Sequence, residues 1–239
     1  MGIRLIAFDR PGYGESTFQP GRRILDWPAD VLELADELGL EKFAVAGHSG
    51  GGPYTLACAY AFPQRVSLAA VLCGAGPCGI PHATDGMNLM SRLAFCYGRY
   101  IPWWLWHRLV SFVYRRKLHP TAAPPSRKRS RRSPADAAQW DLLEVRETCG
   151  ISEQEAFRPG LEGFAWDARL MVRPWGFRLE DIRVPVWLWH GTADNITPPS
   201  MAHFMASRIP KCEATYCPDE GHLLIFPHWK EILSQIARE

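Results

Sequence analysis

No apolar run in this chain approaches the ~18 residues that a membrane-spanning helix requires, so a spanning segment is excluded. The start, Met1-Gly2-Ile3-Arg4-Leu5-Ile6, has no signal-peptide pattern and lacks the serine or threonine of a myristoylation site. A cytoplasmic location is the default expectation. A large charge of one sign is also missing: 27 Lys and Arg stand against 25 Asp and Glu, which argues against a global polyanion-binding role. There is no C-x-x-C, and the seven cysteines, at 58, 73, 78, 96, 149, 212 and 217, read as reduced and mostly buried. His82, His107, His119, His203 and His228 fall at no recognisable ligand spacing, so neither a metal site nor a cofactor is implied.

What is present is alternation. With 239 residues, 47% of them hydrophobic, the chain can bury a full core and still carry an insertion. Short apolar runs at Arg4–Phe8, Phe43–Ala46, Val66–Cys73, Pro185–Gly191 and Ala214–Cys217 alternate with helical patterns, which predicts a mostly parallel sheet covered on both faces. Asp26-Trp27-Pro28 opens one helix and Gly39 stops it. After Gly74-Ala75-Gly76-Pro77 no strand pattern returns until Val184, a stretch too long for a loop. It reads as a helical cap at 77–183, inserted into a core formed by 1–76 and 184–239. Helical tracts are expected at Met87–Tyr97, Pro102–Lys117 and Pro134–Cys149, and Ser152-Glu153-Gln154-Glu155 has the capping-box pattern of a further short helix.

The segment Gly47-His48-Ser49-Gly50-Gly51 has the form G-x-S-x-G, entered by the apolar Phe43–Ala46 and left through Pro53 into a helix. A serine on a sharp strand-to-helix turn is pushed out of the backbone, beside the free N–H groups of a helix start. A serine used as a nucleophile needs a base, and the base needs an orienting acid. Asp194 follows the run Pro185–Gly191, and His222 follows the run ending at Cys217. Each has a plainer reading, Asp194 as a turn cap and His222 as a core histidine. The order Ser, Asp, His on successive strand ends is what the nucleophile-elbow fold requires.

Together with Gly2–Ser16, whose Asp9-Arg10-Pro11-Gly12-Tyr13-Gly14-Glu15-Ser16 is similar to the loop after the family's fourth strand, these motifs resemble an α/β-hydrolase with a cap domain. The resemblance implies Ser49 as nucleophile, His222 as general base, Asp194 as the acid that holds the imidazole tautomer, and the Gly50 N–H as one oxyanion donor. It implies a small carbonyl substrate such as an ester, and a serine hydrolase rather than the dehalogenases and epoxide hydrolases, which use aspartate. The family's third strand and its His-Gly oxyanion loop have no counterpart before Gly2. That predicts a slot of roughly 10 Å between Arg4–Phe8 and Phe43–Ala46, and leaves a non-catalytic, small-molecule-binding relative as the competing class.

Two tracts in the 77–183 stretch admit two readings each. Ser126-Arg127-Lys128-Arg129-Ser130-Arg131-Arg132 reads as a solvated loop rather than as a nucleic-acid or import signal. Trp103-Trp104-Leu105-Trp106, followed by Phe112, Tyr114 and Arg115-Arg116-Lys117, reads as rings packing the cap and facing an apolar substrate. An interfacial helix at a membrane surface is the alternative.

Overall fold

The computed structural model describes residues 2–118 and 132–238, with side chains for 2–114 and 132–238. The basic tract at 126–131 and the side chains of Arg115, Arg116 and Lys117 lie outside the described residues. Four strands form one parallel sheet in the order β1 (Phe43–His48), β2 (Val66–Leu72), β3 (Val186–Gly191) and β4 (Cys212–Cys217). Strand β2 is apolar almost end to end, as expected for a strand flanked on both sides and covered on both faces.

Side chains alternate across this sheet. Val71 pairs in register with Leu188, and Leu72 with Trp189. The first pair enters the main core with Leu56, Ile182 and Met205. The second meets Leu224 and Ile232 on the opposite face. Helix α2 (Gly52–Ala61) is apolar all round and buried over eight of its ten residues, so it forms the centre of the main core. Helix α1 (Trp27–Glu37) packs on it, and Pro28 occupies its first turn. Helix α8 (Pro199–Arg208) covers β3 and β4 from the main-core side, and α9 (Ile225–Ile236) supplies Ile232 to the other face.

Between β2 and β3 run α3 (Leu89–Tyr97), α4 (Trp103–Leu118), α5 (Pro134–Asp141), α6 (Leu143–Ala156) and α7 (Glu162–Met171). The expected helix Pro134–Cys149 is broken at Leu142, whose ψ of 129° is extended. The expected start at Ser152 does not occur, because Ser152 lies inside α6. A capping box acts only where the preceding N–H groups lack partners, and here the helix is already running.

The expected strand at Arg4–Phe8 does not form either. Residues 2–10 have no regular secondary structure and β1 is an edge strand. A strand exists through its ladder, and among the described residues no strand pairs with this segment. Phe8 instead stacks on Trp27, 4.6 Å between ring centroids, while Leu5 stays exposed. None of the seven cysteines, all among the described residues, forms a disulfide; Cys58, Cys73 and Cys217 are buried, Cys96 is exposed and the other three are half-buried. No described helix is long and apolar enough to cross a membrane.

Candidate functional site

At the carboxyl end of β1 the backbone turns sharply and Ser49 takes a φ of 57°, in the left-handed region that L residues avoid. The turn is possible because its neighbours are small. A Cβ on Gly47 would run into the Thr55 hydroxyl and the Gly51 carbonyl, and one on Gly52 would come 2.9 Å from the Gly74 Cα. The strain is held by α2, which is locked into the core just beyond it.

The structure brings Ser49, His222 and Asp194 together from the ends of β1, β4 and β3. Ser49 Oγ lies 2.8 Å from His222 Nε2, and His222 Nδ1 lies 2.8 Å from Asp194 Oδ2. A carboxylate accepts only, so the hydrogen sits on Nδ1 and Nε2 is left with its lone pair towards the serine hydroxyl. Asp194 Oδ1 accepts the backbone N–H groups of Ile196 (2.8 Å) and Thr197 (3.0 Å). Burial works to raise the Asp194 pKa, but the hydrogen bond and charge of His222 and the Ile196 N–H outweigh it and bring it down to about 2.

Several side chains at this site were not legible as site residues in the sequence. Thr197 Oγ1 lies 2.9 Å from Asp194 Oδ2 and 2.9 Å from the Cys73 carbonyl, so it ties the acid to the end of β2. His48 donates from Nε2 to the His222 carbonyl at 2.8 Å. Its burial and the neighbouring His222 ring lower its pKa to about 4, so it is neutral at pH 7. Asp136, from α5, is almost fully buried and accepts the Leu223 N–H at 2.7 Å, bracing the loop that carries His222. His190 is fully buried and donates to the Thr197 carbonyl at 2.7 Å. His48, Cys73 and His222 form a compact group with metal-ligand chemistry, yet both nitrogens of His222 and Nε2 of His48 are engaged in the hydrogen bonds just described.

Ser49 and Gly50 open into a cavity of about 600 Å³, walled by α3, α4, α6 and α7 and made largely apolar by residues such as Phe157, Phe164 and Met171. Of the three tryptophans expected to meet a substrate, Trp106 lines the cavity, its Nε1–H bonded to the Ala165 carbonyl at 2.8 Å. Trp103 and Trp104 do not line it. Two residues along a helix turn about 200°, so Trp104 points out and is 65% exposed. Trp103 packs edge-on against Trp166, at 4.8 Å, on the flank of the helix.

One side of the cavity is polar. Asp167 of α7 accepts from Tyr54 at 2.7 Å, Arg10 at 2.9 Å, Tyr13 at 3.0 Å and Arg22. Burial opposes the Arg10 charge, but Asp167 beside it more than compensates and raises the guanidinium pKa. The same carboxylate therefore joins the loop at 10–22 to the helices between β2 and β3. A backbone contact reinforces the join, since a Cβ on Gly12 (φ 86°) would lie 2.7 Å from the Gly163 Cα.

The sequence profile described as alpha/beta hydrolase family matches residues 2–235. The dihydrolipoyllysine-residue acetyltransferase component of the acetoin cleaving system from Pseudomonas putida is 43% identical over 92 residues, which are 38% of this chain and about a quarter (24%) of that protein. A pimeloyl-[acyl-carrier protein] methyl ester esterase from Aromatoleum aromaticum is 26% identical over 228 residues, 95% of this chain and 83% of the esterase. A thermophilic esterase from Thermogutta terrifontis superposes with a TM-score of 0.63 at 24% identity, covering 95% of this chain and 75% of the other. With the profile spanning nearly the whole chain and the parallel sheet in place, this protein belongs to the alpha/beta hydrolase family.

Proposed function

We propose that this chain is a serine hydrolase acting on a small carbonyl substrate, most simply an ester with an apolar or aromatic acyl group. The observation that carries the reading is the unbroken hydrogen-bonded chain from Ser49 Oγ through His222 to Asp194, opening into the cavity. In this reading Ser49 attacks the carbonyl carbon as His222 Nε2 takes its proton, and the negative oxygen develops beside the Gly50 N–H at the helix start. His222 then returns the proton to the leaving alcohol, and water, deprotonated by His222, releases the acid from the acyl-enzyme. Asp194 holds the imidazole and stabilises it while it is charged. Residues 77–183 act as the cap, with Trp106, Phe157, Phe164 and Met171 facing the acyl group.

A fluorophosphonate probe should label the protein at Ser49, and a p-nitrophenyl ester should be turned over. Ser49→Ala should abolish labelling and lower kcat by a factor on the order of a million. A folded wild-type chain that takes no label would overturn the reading and favour small-molecule binding without catalysis.

A further inference from the structure

Charge in this chain is segregated. Residues 86–135 contain eleven Lys or Arg and no Asp or Glu, although the whole chain is nearly balanced at +2. The same stretch contains a helix with two apolar faces. Trp106 and Val110 of α4 turn inward to pack with Ala165. On the opposite side Trp104, Leu109 and Phe112, at spacings of five and three, are exposed, Phe112 at 76%, and Val113 is exposed on the flank. Leu89 and Met90, at the start of α3, are exposed at 72% and 61%. Single exposed apolar residues need no explanation, but a row of large ones along a helix marks a surface that water is not meant to cover.

We infer that the outward face of α3 and α4 is a docking surface for an anionic lipid bilayer. Large apolar side chains on a helix whose last turns carry Arg115, Arg116 and Lys117, in a stretch without acidic residues, fit the boundary between acyl chains and negative headgroups. A second copy of the chain fits poorly, because a symmetric contact would set two strongly cationic segments against each other. Nucleic acid fits the charge and has Trp104 and Phe112 to stack on, but it would leave the aliphatic Leu89, Met90, Leu109 and Val113 without an apolar partner, which acyl chains supply. The inference does not rest on the chemistry assigned to Ser49.

The test is co-sedimentation of the full chain with vesicles of phosphatidylcholine alone and of phosphatidylcholine mixed with phosphatidylserine. Binding to the mixed vesicles should be at least roughly tenfold stronger, and should weaken as salt is raised. The pair Met90→Glu and Phe112→Glu should lower binding to the mixed vesicles by a further factor of about ten or more, with the circular-dichroism melt and fluorophosphonate labelling unchanged. If that pair fails to fold, the triple variant Arg115→Gln, Arg116→Gln, Lys117→Gln gives the same readout through the charge. Equal partition into both vesicle types, no partition, or binding unmoved by the folded variants would overturn the inference. So would a dimer in sedimentation velocity that Phe112→Glu dissociates without any vesicle binding, or tighter binding to single-stranded DNA than to the mixed vesicles.

Discussion

His48 shows how much a single residue next to Ser49 can contribute through the backbone alone. Its Nε2–H holds the backbone carbonyl of His222, so it fixes the loop that carries that ring. The folded protein takes a proton on this ring only near pH 4, while an exposed histidine takes one near 6.5. The associated stability is therefore complete above about pH 6.5 and drains away as the pH falls towards 4, a loss of about 3 kcal/mol. Urea unfolding of wild type and His48→Gln across that range should show the wild type losing more stability by this margin. Parallel curves would mean that His48 is not held neutral. Ser49, Asp194 and His222 were legible in the sequence because each closes an apolar run and their order is dictated by the fold. Thr197, Asp136 and Asp167 were not, because their roles come from contacts far apart in sequence, such as Asp136 with Leu223 across 87 positions and Asp167 with Arg10 across 157.

Among elements, α7 has no counterpart in the helical patterns expected at 77–183, and it carries the most connected side chain. Six of its ten residues are apolar, but its buried positions include Gly163, Asp167 and Arg169, which do not look like a buried face. Burial there is permitted because Asp167 meets two guanidinium groups and two phenols. Removing the carboxylate would leave Arg10 and Arg22 close together without their counter-charge. Asp167→Ala is expected to destabilise the fold by about 3–5 kcal/mol, read as a drop in the midpoint of urea unfolding. A loss below about 1 kcal/mol would show that water replaces the carboxylate there. Helix α4 was read correctly as helix, but periodicity does not reveal which of two apolar faces turns inward. Only the packing with Ala165 decides that Trp106 is inside and Trp104 outside.

For the whole molecule, the parallel sheet followed from alternation and the site from its position at the carboxyl ends of β1, β3 and β4. The segment at Arg4–Phe8 did not follow the same logic, since a strand-like sequence becomes a strand only beside a partner. The join through Asp167 has a further consequence for traffic. On that side the walls of the cavity are riveted by a carboxylate with four donors and by the Gly12–Gly163 contact, so parting them would mean breaking all of these at once. The α3 wall is different: none of its residues is fully buried, although Ser91, Ala94 and Phe95 border the same space. Local opening should be cheapest there. Amides of α3 are expected to exchange with deuterium well before those of α7, and a molecule bound near Ser49 would come and go past Phe95 while the Asp167 side stays shut.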